Sequence, residues 1–226
     1  SFHPLCLPCH PVLFRGPLCR FCLRVENRGV RLGSGGHGTE SGERTLGKGA
    51  MSEQNLVTRL QDKFGEQILA VHLDAIDPWV EVSADGLPEV CRYLHDEPDL
   101  KFDYLSCISG VDYFEADPKK IAKQEGKPRL EVVYHLWSVT HKSSLVLKVI
   151  LPRWKDGQEG CLPEVPSVTD IWRTADWHER EVYDLSGVHF MGHPDLRRIL
   201  CPEDWEGHPL RRDYQMPLEY HGIRCR

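Results

Sequence analysis

The sequence predicts an α+β fold: a mainly antiparallel sheet with two helices, then a long helix and an extended C-terminal tail. Three observations predict it. Alternating apolar runs of strand length cluster between residues 68 and 152, two of them separated only by a short turn. A segment with helical spacing and a candidate cap follows at 166–187. Beyond Gly187 the periodicity stops, and glycine and proline recur.

In chain order, "MSEQNLVTRLQDKFGEQI" places Leu56, Val57, Leu60 and Phe64 on one helical face behind Ser52 as a cap. "ILAVHL" (68–73) reads as a short strand. Asp77-Pro78 turns the chain, and "WVEVS" (79–83) alternates as a second strand. "LPEVCRYLHDEP" sets Leu87, Val90, Cys91 and Leu94 at helical spacing and stops before Pro98. "FDYLSCISGVDYF" (102–114) is a long strand. "RLEVVYHLWSVT" (129–140) and "SSLVLKVILP" (143–152) form a hairpin through His141-Lys142. The order α-β-β-α-β-β-β puts two helices on one face of the sheet. The loop "EADPKKIAKQEGKP" carries mixed charges and reads as a solvated turn.

In "PSVTDIWRTADWHEREVYDLSG", Ser167 and Asp170 have the spacing of a capping box. Val168, Ile171, Trp172, Ala175, Val182 and Leu185 form an apolar stripe. Asp176, Arg180 and Asp184 are expected as an exposed charge ladder, worth only about 0.3–0.5 kcal/mol per pair. Gly187 is placed to end the helix.

Four segments result: 1–50, a disordered or non-native extension; 51–165, the α+β domain; 166–187, the long helix; and 188–226, the tail. Residues 1–50 hold seven Lys/Arg and three acids, leaving 28 − 7 = 21 bases and 34 − 3 = 31 acids from Met51 onward. That acidic body argues against nucleic-acid binding. Cys6, Cys9, Cys19 and Cys22 form a CxxC…CxxC pair, the basis of a zinc-binding alternative. A transit peptide is a second reading, opposed by Pro4, Pro8, Pro11 and Pro17. The expectation adopted is that Met51 is the natural start, because a Gly/Pro-rich segment without periodicity cannot offset its ordering entropy. The remaining cysteines (Cys91, Cys107, Cys161, Cys201, Cys225) are scattered and odd in number, which fits a reducing compartment. No run approaches the ~18 apolar residues of a membrane span.

The tail writes one phrase twice. Gly192-His193-Pro194 leads to Arg197-Arg198, and Gly207-His208-Pro209 leads to Arg211-Arg212. His189 and His193 are four apart, but Gly192 and Pro194 oppose a helical ligand pair, so no metal site is expected there. Glu179 and Glu181 are two apart and cannot form a helical dyad, which opposes a stand-alone hydrolase built on them or on His193. Phosphate loops, nucleophile elbows and flavin fingerprints are absent. Six arginines balance six acids over 188–226, with aromatic and aliphatic residues between them. Arginine plus aromatics is the composition of protein–protein anchors. The tail is therefore expected to clasp a partner: glycine-proline corners steer it, Leu and Ile fill pockets, and the twin arginines pair with a partner's acids. The competing reading is that it wraps its own domain.

"WHEREVYDLSGVHFMGHPDLRRIL" closely resembles the signature of the C-type (30 kDa-type) subunit of NADH:quinone oxidoreductase, respiratory complex I. "PSVTDIW", "EDWEGHPLRRDY" and "VVYHLWSVTHKSSLVLKV" extend the resemblance over most of Met51–Tyr214. It implies a cofactor-free structural subunit of the peripheral arm, without catalytic residues of its own, in an assembly that passes electrons from NADH to quinone and translocates protons. It implies the D-type subunit, which helps form the quinone pocket, as the chief partner. NAD and quinone would bind elsewhere, with the complex on the cytoplasmic face of the bacterial inner membrane. Glu179, Arg180, Asp184, His193, Arg197, Arg198, Trp205, His208, Arg211 and Arg212 are the expected partner-binding residues. An equivalent subunit of a membrane-bound hydrogenase or another quinone-linked complex is the alternative. Ser186 stands where the family usually has a large apolar residue, which predicts looser packing, and the loop 115–128 looks longer than usual.

Overall fold

A computed structural model describes residues 53–75, 78–115 and 127–225. The readings made for residues 1–50, including the four cysteines and the start at Met51, lie outside the described residues.

The elements are α1 (Glu53–Phe64), β1 (Ile68–His72), β2 (Trp79–Val82), α2 (Leu87–Asp96), β3 (Tyr104–Tyr113), β4 (Arg129–Ser138), β5 (Ser143–Pro152), β6 (Glu164–Pro166), α3 (Ala175–Ser186), β7 (His189–Met191), β8 (Glu219–Tyr220) and β9 (Ile223–Arg224). The expected order through β5 holds. The main sheet runs β1-β2-β5-β4-β3. It is antiparallel throughout except for β2 against β5, which are parallel.

Period-two alternation sorts the side chains of this sheet. Leu130, Val132, Tyr134 and Leu136 of β4 and Leu145, Leu147, Val149 and Leu151 of β5 are buried on one face. Leu56, Val57 and Leu60 of α1, Leu87, Val90, Cys91 and Leu94 of α2, and Ala175 and Val182 of α3 join the same core. Trp137 and Ile150, on the other parity, remain partly exposed. On β3 a bulge between Leu105 and Cys107 resets the phase, so that Ile108, Gly110 and Asp112 share the core-side parity.

The long helix is shorter than its sequence pattern. Residues 164–166 form β6, parallel to β7, and Ser167 N–H donates to the Met191 carbonyl at 2.9 Å. Helix α3 begins only at Ala175, behind Thr174, which makes no side-chain cap bond. The Ser167–Asp170 capping box does not form: the Ser167 hydroxyl donates instead to Glu179 at 2.7 Å. Pro163 and Pro166, together with the β6–β7 pairing, hold this stretch extended. The apolar stripe nevertheless reaches the core, with Val168, Trp172, Ala175 and Val182 buried. Trp172 Nε1–H donates to Phe102 O at 2.9 Å, fixing the lead-in to α3 against the start of β3.

Ser186 corrects a second expectation. It is buried, and a Cβ built on Gly110 of β3 would lie 2.7 Å from Ser186 Oγ and 2.9 Å from its Cβ. Packing is tight here because small residues on both elements let α3 approach the strand.

Candidate partner interface: helix α3 and the tail that caps it

The last turn of an α-helix leaves carbonyl groups without intrahelical partners. At the end of α3 four consecutive carbonyls, of Asp184, Leu185, Ser186 and the following Gly187, are taken by groups of the tail. Arg198 Nη1 and His208 Nδ1 reach Asp184 O at 3.1 and 2.9 Å. Leu210 N–H donates to Leu185 O at 2.8 Å. Arg211 donates from Nε to Ser186 O and from Nη2 to Gly187 O, both at 3.0 Å. The cationic guanidinium groups also meet the negative end of the helix dipole. Gly187 must be glycine for two reasons: its φ is +70°, and a Cβ there would lie 2.5 Å from the His208 ring.

Asp184 is the second fastening. Its side chain is fully buried and accepts four charge-assisted bonds. Arg198 Nη1 lies 2.7 Å from Oδ1. The backbone N–H groups of Ile199, Leu200 and Cys201 donate to Oδ2 at 3.0, 2.7 and 2.8 Å. Burial pushes this carboxyl upward, but the Cys201 N–H, Arg198 and the other two N–H groups outweigh it, and the net effect holds the carboxyl below its ordinary value. His208 is pushed down, first by burial and then by the neighbouring Arg198 and Arg211, against the opposing effect of its bond to Asp184 O.

A third fastening lies at the end of β3. Arg153 forms a bidentate pair with Asp112 at 2.8 and 2.9 Å and reaches Asp213 at 2.7 Å. Arg212 N–H donates at 3.0 Å to Asp112 Oδ2, the oxygen that also accepts from Arg153 Nη2. Trp154 stacks on the Arg211 guanidinium at 3.8 Å. Asp112, Arg153 and Trp154 were not among the expected site residues. Alternation counted from Leu105 puts Asp112 on the opposite face, and only the bulge turns it to the core side, so the sequence carried no signal for it.

The duplicated phrase thus has a division of labour. Each histidine bonds a helix carbonyl: His193 Nε2 to Asp176 O at 3.1 Å, and His208 to Asp184 O. Each arginine pair turns one member inward and one outward. Arg198 and Arg211 bind α3. Arg197 is 62% exposed and meets Asp195 at 2.9 Å, and Arg212 is 55% exposed with Glu115 at 3.6 Å.

Several expected partner-binding residues therefore have internal roles. Glu179, Arg180 and Asp184 are buried. The Asp176-Arg180-Asp184 ladder is not an exposed one: Arg180 pairs with Asp176 at 2.6 Å and Asp195 at 3.3 Å, while Asp184 turns to the tail. The expectation that both twins reserve their charge for a partner's acids does not hold for Arg198, nor for Arg211, whose Nε and Nη2 meet carbonyls of this chain. The tail wraps its own helix. Trp205 packs on Tyr220 at 5.0 Å, and Asp204 accepts from Tyr220 Oη–H and meets His221 Nε2, both at 2.7 Å, which folds the β8–β9 hairpin back. Among the exposed side chains is an apolar set: Leu200, Leu210, Met216, Leu218 and Ile223, with Trp177 on α3. Among the described residues, no group of three metal-ligating side chains occurs and no helix is long and apolar enough to cross a membrane.

A family model described as respiratory-chain NADH dehydrogenase, 30 Kd subunit, matches residues 80–220. The stretch runs from Val80 in β2 through β8 and includes the capping contacts above. The C-type subunit of the NADH-quinone oxidoreductase of Chlorobium phaeobacteroides is 45% identical over 167 residues, which is 73% of this chain and 90% of that protein. This chain belongs to the 30 kDa subunit family of the respiratory-chain NADH dehydrogenase. Another relative, the C-type subunit of the same enzyme from Chloroherpeton thalassium, is 41% identical over 73% of this chain. The match spans 62% of that protein's length, under two thirds of it. A chain in the structure of the membrane-bound sulfane sulfur reductase, an archaeal respiratory membrane complex, shares the fold: TM-score 0.53 at 24% identity, over 72% of this chain and 85% of that one.

Proposed function

We propose that this chain is a peripheral-arm structural subunit of a proton-translocating NADH:quinone oxidoreductase, holding no cofactor and no catalytic residue of its own. Its tail presents a docking surface to a neighbouring peripheral subunit, chiefly the D-type one, on the cytoplasmic face of the membrane. NAD and quinone bind elsewhere in the assembly. The observation that carries this reading is the tail's two-sidedness. One arginine of each twin is committed to α3, while Arg197, Arg212 and a row of exposed aliphatic side chains face outward with the anchor-and-charge composition of an interface. Both bacterial relatives above are subunits of NADH-quinone oxidoreductases, which supports that assembly over a hydrogenase.

The test is purification of the tagged full chain from solubilised membranes. Recovery with the peripheral-arm subunits and with NADH:quinone reductase activity is expected. A variant carrying Arg197→Glu, Arg212→Glu and Leu218→Ser should lose those partners while its own melting temperature stays close to wild type. Recovery of the wild-type chain alone, or with a hydrogenase, overturns the assignment. Normal assembly of the triple variant removes the tail from the interface.

A further inference from the structure

The core of the molecule contains a carboxyl group that docking does not use. Glu179, on the inward face of α3, is fully buried. Both of its hydrogen-bond donors are neutral: Val168 N–H to Oε1 at 2.8 Å and the Ser167 hydroxyl to Oε2 at 2.7 Å. The ionisable groups around it do not compensate its charge. Asp176 on the same helix and Asp170 in the preceding turn repel a second negative charge. The Cys91 thiol of α2 and the Tyr134 phenol of β4 are also near it, and burial, with Glu179 itself adding to the effect, holds both protonated. A carboxylate placed among such neighbours favours its neutral form.

The route out is also built. Ser167 Oγ lies 2.8 Å from Thr169 Oγ1, where either oxygen can donate, and accepts from Thr169 N–H at 3.2 Å. Ser167 and Thr169 are only half-buried. Two hydroxyl groups therefore link the core carboxyl to the surface, and each can both donate and accept.

We propose that Glu179 is a reversible proton-binding site, fed from the surface through the Thr169 and Ser167 hydroxyls, whose occupancy sets how firmly α3 is held to the β6–α3 connection. The transfer balances. A proton from water is taken up at Thr169 Oγ1, the Thr169 hydroxyl proton passes to Ser167 Oγ, and the Ser167 hydroxyl proton passes to Glu179 Oε2. The net change is one proton bound and one carboxylate made neutral. The hydrogen bond between Ser167 and Glu179 then runs in the opposite sense, from carboxyl to hydroxyl.

Burial is the dominant cause of the shift, and it pushes this carboxyl from 4.5 up to about 7, against the opposing effect of its two hydrogen bonds. The folded chain holds a proton that the unfolded chain has released, so stability contributed by the neutral carboxyl is complete below about 4.5 and is lost as pH rises to about 7. Proton binding here is independent of which complex the chain joins.

The full-length chain is titrated by infrared spectroscopy, with glutamate and aspartate carboxyls separately labelled with carbon-13. One glutamic-acid C=O band should persist well above the ordinary carboxylate range and vanish near neutral pH. Glu179→Gln, which keeps an acceptor for Val168, should lack that band, and its urea midpoint should lose the decline with pH seen in wild type. Ser167→Ala removes a donor to the carboxylate and the inner link of the relay. Its band should vanish at higher pH, and exchange to the deuterated acid should slow. The proposal fails if wild type shows no persistent glutamic-acid band. It also fails if the band survives in Glu179→Gln, or if Ser167→Ala changes neither the midpoint nor the exchange rate. The wild-type and Ser167→Ala measurements decide the matter even where Glu179→Gln does not fold.

Discussion

Replacing Asp184 by asparagine tests whether the tail is held by the helix or merely lies near it. Asparagine keeps the shape but removes the charge and turns one acceptor into a donor. The one remaining oxygen can replace Oδ2, leaving Arg198 facing an NH2 group, or Oδ1, leaving the N–H groups of Ile199, Leu200 and Cys201 without an acceptor. Each buried donor left unsatisfied costs about 1–3 kcal/mol, and removing one side of a buried charge pair costs about 3–5 kcal/mol. These overlap, because Arg198 keeps its bonds to Asp184 O and Gly207 O. The expected loss is about 3–5 kcal/mol, a large part of the stability of a domain this size. Urea denaturation of the full chain at neutral pH measures it, as a lower midpoint with an unchanged slope. Asp204→Asn is the control: it disturbs an exposed contact with Tyr220 and His221 and should leave the midpoint close to wild type. An Asp184→Asn midpoint equal to that of the control would refute the reasoning.

Arg211→Ala should destabilise the chain by about 2–4 kcal/mol, since it uncaps Ser186 and Gly187 and removes the stack on Trp154, whereas Arg212→Ala should stay within about 1 kcal/mol. Equal effects in thermal melts would contradict the inward–outward division of the twins. Gly110→Ala should cost about 1–3 kcal/mol through overpacking against Ser186, and a neutral result by the same assay would mean that α3 shifts without penalty.

Elements with strong periodicity were legible. The alternation in β4 and β5 and the spacing of Leu87, Val90, Cys91 and Leu94 place these residues in the core. Family membership was legible as well, through the stretch around "HEREVYDL". The start of α3 was not. The apolar stripe at 168–172 fits a helix as well as the extended path it takes, and the decision rests on the β6–β7 pairing with residues 189–191, a non-local contact. The ladder misled for the same reason. Spacing predicts that Asp176, Arg180 and Asp184 share a face, but it does not say whether solvent or the tail covers that face. Arginine-rich composition likewise reads as an interface whether its partner is another chain or four carbonyls of the same helix.

The capping of α3 by the tail also sets an order of events during synthesis. The last turn of the helix is complete at Ser186, but its carbonyls find partners only when residues 198–211 have been made. That is roughly 25 residues later, about 1–5 s of translation at ordinary rates. Until then those carbonyls lack their tail partners, and the Asp184 carboxylate lacks Arg198 and the N–H groups of residues 199–201. The exposed row of Leu200, Leu210, Met216, Leu218 and Ile223 lies in the same late segment, so that apolar surface and the capping of the helix are completed together.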